Sequence, residues 1–240
     1  MDYKYFELED AQERNRLTKS LIPRFLLMLY YKRQYRRRYP KAFITASSKV
    51  AATAVIGDHC MVRESHIGSA VCIGAFTTTG PQSRFYGKGK IAVGKYCSIA
   101  PECLFWSENH LTNRVSTYPF ECVRDGCEDK YQEYTGEDIT VGHDVWIGQR
   151  SIILAGARIG HGCIVAAGAV VPRGEYPPYS IIGGVPAKVI KSRFDRATVE
   201  MLLAQQWWDK PPEEVFGSMM DFLHKDFSAD LPAKKTGARI

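Results

Sequence analysis

The chain has 240 residues, 45% hydrophobic and 24% charged, a composition that excludes disorder, collagen and a disulfide-dense miniprotein and leaves room for one large domain or two small ones. Its net charge of +6 sits entirely in residues 1–41, which hold 11 basic and 5 acidic side chains, whereas residues 42–240 hold 21 of each. So local an excess, with no accompanying motif, argues against a nucleic-acid-binding domain, and seven cysteines without paired spacing fit a reducing compartment better than a disulfide framework.

The N-terminus opens acidic (Asp2, Glu7, Glu9, Asp10, Glu13) and lacks the basic-then-apolar opening of a secretory signal, so a cytoplasmic location is expected. From Arg14 to Lys41 there are ten basic residues and no acidic one. Here LIPRFLLMLYYKRQYRRRY (21–39) joins the longest apolar run, Phe25 to Tyr31, to the cluster Lys32, Arg33, Arg36, Arg37, Arg38. That run is far below the ~20 residues of a membrane-spanning helix. It reads as a helix that either approaches anionic lipid headgroups at the inner face of the membrane or packs on the end of the domain or on a neighbouring subunit. Residues 1–41 are therefore expected to be a basic, helical extension that sets location or assembly rather than chemistry.

From Val50 to Val171 the chain is governed by a six-residue period. Val50, Ile56 and Val62, then Ile67 and Ile73 after a five-residue slip, begin it; Val93, Ile99 and Phe105 resume it; Val141, Ile147, Ile153, Ile159, Val165 and Val171 carry it without interruption. An α-helix cannot use this pattern, because a six-residue step turns ~600° and scatters the apolar residues around the cylinder. Short strands joined by tight corners can, and a short fixed period implies a solenoid whose turns bury a core only by stacking. Cys60, Cys97, Cys103 and Cys163 fall at the compact inner position of the repeat and read as small buried hydrophobes.

Two breaks interrupt the period. Residues 79–90 form a short one with Gly and Pro turn signals. Residues 107–137 form a long one, rich in Glu, Asp, Tyr, Thr and Asn, and an excursion of that length from a rigid solenoid is expected to be functional. After Ile190 the pattern becomes helical: Asp195 can cap a helix with Val199, Leu202 and Leu203 on one face, and Pro211-Pro212-Glu213-Glu214 can open a second. The expected organisation is a β-helix over 42–190, helices over 191–226 and a loose tail over 227–240.

These repeats resemble those of the hexapeptide-repeat acyltransferases, and NHLTNRVSTYPF (109–120), VGHDVWIG (141–148), AAGAVVPRGEYPPYSIIGGVPAKVIKSRF (166–194) and QQWWD (205–209) are similar to the subfamily of xenobiotic and polysaccharide acetyltransferases. The similarity covers about residues 45–215. It implies an all-β solenoid, a left-handed parallel β-helix of triangular section with helical segments at both ends, assembled as a homotrimer with active sites between subunits. It also implies acetyl-CoA as co-substrate and direct transfer with no acyl-enzyme and no metal.

His110 is the candidate base. It matches the family's catalytic histidine in the Asn-His pair, and acyl transfer from a thioester to a hydroxyl needs a group that accepts the hydroxyl proton near neutral pH. Asn109 and Tyr118 of the same motif are candidate acceptor contacts. Trp146, Gln149, Ala167 and Arg173 match positions lining the donor groove, and Lys188 and Lys191 match basic residues for the nucleotide phosphates. His143 and His161 are expected to face solvent, His59, His66 and His224 carry no motif, and Cys122 and Cys127 have no histidine nearby in sequence. A zinc site built from three histidines is disfavoured because no two histidines lie closer than seven residues. Relative to the xenobiotic enzymes a tyrosine-rich segment is missing, and Trp207-Trp208-Asp209-Lys210 replaces Trp-Trp-Asp-Trp, which favours as acceptor a saccharide hydroxyl, on a polysaccharide precursor or a nucleotide- or lipid-linked sugar. The alternatives are an antibiotic hydroxyl of the chloramphenicol or streptogramin type, the amine of a nucleotide-linked amino sugar, and a non-enzymatic β-helix scaffold.

Overall fold

The computed structural model describes residues 23–118, 120 and 134–227. Strands of two or three residues, joined by tight corners, repeat around a triangular prism and stack in parallel into three faces. The chain is a left-handed parallel β-helix of about seven turns with helices at both ends. Face I runs from Phe43–Ile44 to Ser180–Gly184, face II from Lys49–Val50 to Val170–Val171, and face III from Val55–Ile56 to Gly174–Tyr176.

The six-residue period arises because each face buries one side chain per strand end and each corner costs a fixed number of residues. Val141, Ile147, Ile153, Ile159, Val165 and Val171 all point inward and are buried. At the edge between faces III and I the corner residues Phe76, Tyr96, Asp144 and Tyr179 adopt positive φ. Each donates its N–H to the coil below, to Asp58 O, Ala75 O, Lys95 O and His161 O respectively, which offsets the left-handed strain. Flanking glycines are needed for close approach: a Cβ on Gly142 would lie 2.6 Å from His161 N. Cys60, Cys97 and Cys163 sit inside these corners and Cys103 inside a corner between faces I and II, all buried and free. Burial pushes the Cys60 and Cys103 thiols up to about 11 and Cys97 to about 12, so they are protonated, unreactive packing groups. Cys122 and Cys127 lie outside the described residues.

Two sequence expectations need correcting. The repeat does not stop at residue 79: Thr79 and Phe85 are both fully buried inward positions. The Thr79 hydroxyl is satisfied by Ser65 Oγ at 2.9 Å, and Phe85 stacks on Phe105 with ring centroids 4.3 Å apart. A threonine and an aromatic in place of aliphatics hid the period, and only the corner at 87–90 departs from it. His143 and His161 do not face solvent either. They are half-buried, stacked 5.0 Å apart, and covered by Trp208, whose ring lies 4.7 Å from His161.

Trp208 arrives there through the C-terminal segment. The last strand of face I turns back antiparallel into Ala187–Ser192. At the other end of the prism, helix α1 (Arg24–Arg38) is bolted to the first coil by its last turn. Tyr35 Oη donates to Ser48 O at 2.7 Å, Tyr39 Oη to Ala54 O at 2.8 Å, and the Arg38 guanidinium to the carbonyls of Ala52 and Ala54. Among the described residues no helix is long and apolar enough to cross a membrane.

Beyond the antiparallel strand, Asp195 caps helix α2 (Arg196–Gln205) by accepting from Thr198 N at 2.8 Å. A 3₁₀ turn at Trp207–Asp209 and short helices α3 (Pro212–Val215) and α4 (Met220–Leu223) complete the segment. Trp207, Trp208, Val215 and Met219 form a second small core with Tyr96 and Leu203 against the edge between faces III and I. Residues 228–240, most of the expected tail, lie outside the described residues.

Candidate active site

The long excursion leaves the solenoid at the edge between faces II and III, between Leu104–Trp106 and Ile139–Val141. It is not structureless at its root: Glu108–His110 pairs antiparallel with Tyr134–Gly136, placing Asn109 opposite Thr135 and His110 opposite Tyr134. Ser107, fully buried, ties the root down by donating to Gly89 O at 2.7 Å, while its carbonyl accepts from Gly89 N and Glu137 N. A stem pinned in this way holds His110 at a fixed place beyond the prism edge.

His110 is exposed and its Nδ1 lies 3.1 Å from Thr117 O. A carbonyl only accepts, so the ring proton is on Nδ1 and Nε2 is the basic nitrogen. Tyr118, next along the same turn, is exposed and packs edge-to-face on Phe120 at 4.8 Å. Asn109 is exposed on the stem, its carbonyl accepting from Thr135 Oγ1 at 3.4 Å.

The predicted donor-site residues divide into two groups. Trp146 lies on face I, 54% exposed, in register with Ile164, Ile181 and finally Lys191, so one line across the face carries an indole at one end and an ammonium at the other. Lys188 is on the same antiparallel strand, paired with Gly183. Gln149 and Ala167 occupy successive corners of the edge between faces I and II. Gln149 donates to Glu102 at 3.0 Å, and the same carboxylate binds Arg150 at 2.8 Å; the Arg150 bond first and the Gln149 bond second hold Glu102 below the usual carboxylate range. Arg173 stands apart from these, at the edge that bears the loop, paired with Glu137 at 2.7 Å across the loop's exit. Within one chain, then, His110, Asn109, Tyr118 and Arg173 share one edge, and Trp146, Gln149, Ala167, Lys188 and Lys191 share another edge and its adjoining face.

Sequence reasoning passed over Tyr86, Trp106 and Glu108. Tyr86 and Trp106 are neighbours across face II, with rings 6.1 Å apart, and they border a cleft of about 500 Å³ at the root of the His110 stem, together with Ser69, Ala70, Lys88 and Glu108. Tyr86 Oη hydrogen bonds to His66 Nδ1. His66 is held below its ordinary pKa chiefly by burial and then by Lys49 and Arg84, so it is the neutral acceptor of that bond. The signal available was the register alone: each aromatic lies one residue beyond an inward Phe. Among the described residues no three His, Cys, Asp or Glu side chains converge as a metal site would require.

The comparisons with known proteins agree with this architecture. A family model described as bacterial transferase hexapeptide (six repeats) matches residues 138–173. The chain is 39% identical over 137 residues to a probable macrolide acetyltransferase of Lysinibacillus sphaericus, covering 54% of this chain and 75% of that one. It is 34% identical over 138 residues to a chloramphenicol acetyltransferase of Escherichia coli, covering 54% of this chain and 64% of the relative, a little under two thirds of its length. Among solved structures, AntD, an N-acyltransferase from Bacillus cereus determined in complex with dTDP and coenzyme A, superposes with a TM-score of 0.56 at 18% identity, over 72% of this chain and 94% of that one, which is a likeness of fold. The fold and the histidine-bearing loop thus define a β-helical group transferase, and this chain belongs to the hexapeptide-repeat acetyltransferase family.

Proposed function

We propose that the chain transfers the acetyl group of acetyl-CoA to a hydroxyl of a saccharide, with His110 as general base. The observation that carries this is the Nδ1 hydrogen bond to Thr117 O, which orients the ring and makes Nε2 the basic atom. As the acceptor oxygen attacks the thioester carbonyl, Nε2 takes its proton; a backbone amide holds the oxyanion. The C–S bond then breaks, and the coenzyme A thiolate recovers the proton from the imidazolium. Trp146, Gln149, Ala167 and Arg173 line the pantetheine path, Lys188 and Lys191 face the nucleotide phosphates, and Asn109 and Tyr118 contact the acceptor.

The division of these residues between two edges supports a homotrimer in which the loop of one subunit reaches the donor face of the next. Co-assembling a His110→Ala variant with a Trp146→Ala variant then restores activity that neither has alone. An active monomer in sedimentation, or mixtures that stay inactive, would refute this. A second reading is acetylation of an antibiotic hydroxyl, favoured by the macrolide and chloramphenicol relatives. A thiol-release assay against sugars, nucleotide sugars, chloramphenicol, macrolides and streptogramins separates the two.

Location follows from α1. Phe25 and Leu29 are 63% and 58% exposed, and Leu26, Met28 and Tyr30 are exposed too, so the apolar residues point all around the helix instead of along one stripe. The segregation is lengthwise, apolar from Phe25 to Tyr31 and basic from Lys32 to Arg38. We therefore propose that α1 makes a peripheral contact with an anionic membrane surface through its exposed basic side chains. Vesicle binding that is lost on deleting residues 1–34 and weakens with salt supports this; an intact chain that ignores anionic vesicles opposes it.

A further inference from the structure

Face II carries two clefts that meet at Tyr86. The first, at the loop root, is walled by Tyr86 and Trp106 and contains Glu108, which is only 7% exposed and has no side-chain hydrogen bond or ion pair among the described residues. Its carboxylate oxygens remain accessible from the cleft, where a hydroxyl can donate to them. An aromatic surface beside a carboxylate suits a ring with apolar faces and hydroxyl edges, and Glu108 lies two residues from His110 on the same strand. The second cleft, about 270 Å³, reaches the opposite edge of face II and is lined by Lys49, His66, Arg84 and Glu64 among others.

Register makes the second cleft basic. Lys49 pairs with His66 and His66 with Arg84, so the three side chains stand side by side on consecutive coils, about 4.8 Å apart from strand to strand. Among the described residues neither Lys49 nor Arg84 is engaged by a carboxylate within ion-pair distance, Glu64 included. Two such cations flanking a neutral histidine form an anion site, and the arginine fork suits a phosphate. Because Arg84 and Tyr86 are alternate residues of one strand, both project outward and stand about 7 Å apart along the face.

We infer that the acceptor is a phosphorylated saccharide: its sugar ring rests on the surface formed by Tyr86 and Trp106 with hydroxyls donating to Glu108, and its anomeric phosphate or diphosphate lies on the Lys49–His66–Arg84 column. His66 is a positioning residue, holding Tyr86 between the two clefts. The inference rests on the saccharide reading above and narrows it. The phosphate is borne by a nucleotide or by a lipid, and the two have the same chemistry at this column.

The test compares one sugar presented as a methyl glycoside, as a nucleotide diphosphate derivative and as a lipid diphosphate in micelles. The wild type should turn over at least one diphosphate form with a KM about tenfold or more below that of the glycoside, and which form reacts identifies the carrier. Arg84→Gln and Lys49→Gln should raise KM for the diphosphate about tenfold more than for the glycoside, without changing KM for acetyl-CoA. Trp106→Ala and Glu108→Gln should raise KM for every sugar form, with the melting temperature of each variant checked alongside. Equal KM for glycoside and diphosphates, or an Arg84→Gln profile like wild type, overturns the phosphate site while leaving the saccharide reading intact. Sugar turnover indifferent to both Trp106→Ala and Glu108→Gln overturns the ring site. If no saccharide reacts and an antibiotic does, the saccharide reading itself fails and this inference with it.

Discussion

Two edges of the prism carry histidines, and they differ in the direction of a single hydrogen bond. At the edge between faces III and I, His143 Nδ1 accepts from Lys95 N at 2.8 Å and His161 Nδ1 accepts from His143 N at 2.9 Å. Both rings are neutral, with the proton on Nε2, and stack beneath Trp208. At the edge between faces II and III, His110 Nδ1 faces a carbonyl instead, which places the proton on Nδ1 and the basicity on Nε2. The first pair uses imidazole as a flat acceptor that joins coils to the C-terminal helices. His110 is mounted on a stem outside the coil, where the proposed reaction would use it as a base. A histidine's role in this fold depends on what its Nδ1 meets.

The largest test removes each in turn. His110→Ala should lower turnover ~10²–10⁴-fold while acetyl-CoA binding, followed by calorimetry, stays within a few-fold of wild type. His161→Ala should do the reverse, lowering the melting temperature and leaving kcat near wild type at about 25 °C. A His110→Ala enzyme with near-normal turnover would erase the proposed distinction. Next in size is Trp208→Ala, which empties a site 3% exposed that covers both structural histidines. Large-to-small replacement of a buried indole costs about 3–5 kcal/mol, read as a lower midpoint in urea. Unchanged stability would mean that the C-terminal helices do not brace this edge.

The β-helix was legible because its period is a direct consequence of geometry: one inward side chain per face leaves an aliphatic every sixth residue. Thr79 and Phe85 escaped notice because the same inward site accepts a hydroxyl when Ser65 satisfies it and an aromatic when Phe105 stacks on it. For the candidate site, the motif around Asn109 and His110 marked the stem. The surroundings of His143 and His161 were not legible, since they depend on Trp208, far along the chain from His161, returning to that edge. Tyr86, Trp106 and Glu108 were hidden for a similar reason. They are adjacent only through the register of successive coils, which no local pattern records.

The two edges also differ in their response to pH. His143 and His161 are both held below 6.5, mainly by burial, with His161 and then Lys95 adding to the effect on His143 against the opposing pull of Asp209. A depressed folded pKa means the unfolded chain binds the proton first, so their contribution to stability is complete above pH 6.5 and is lost as pH falls through the lower folded values. Asp144 in the same corner is raised to about 6 by burial, and it acts in the opposite sense. Its contribution is complete below about pH 3.8 and is lost as pH rises through about 6. Melting temperature should therefore fall between about pH 6.5 and 5 by less than the histidines alone would impose. Asp144→Asn should steepen that fall, and His161→Gln should flatten it. A profile that Asp144→Asn leaves unchanged would show that the carboxylate does not titrate against the histidines.

The smallest effect concerns the far end of the line that begins at Trp146. Lys191 is exposed on the antiparallel strand, so its charge is screened and a single contact to a phosphate is weak. Lys191→Ala should raise KM for acetyl-CoA only about two- to fivefold, and Lys188→Ala by a similar factor, since both lie on one strand and face the same approach. Because the proposed contact is ionic, the difference between variant and wild type should shrink as salt rises from about 0.05 to about 0.5 M. A donor lacking the 3′-phosphate sharpens the assignment. If Lys191 or Lys188 serves that phosphate, the variant that loses the contact should treat acetyl-CoA and its dephospho form alike, whereas the wild type prefers the former. Preference retained in both single variants and in the double variant would place the phosphate elsewhere and return these lysines to the solvent.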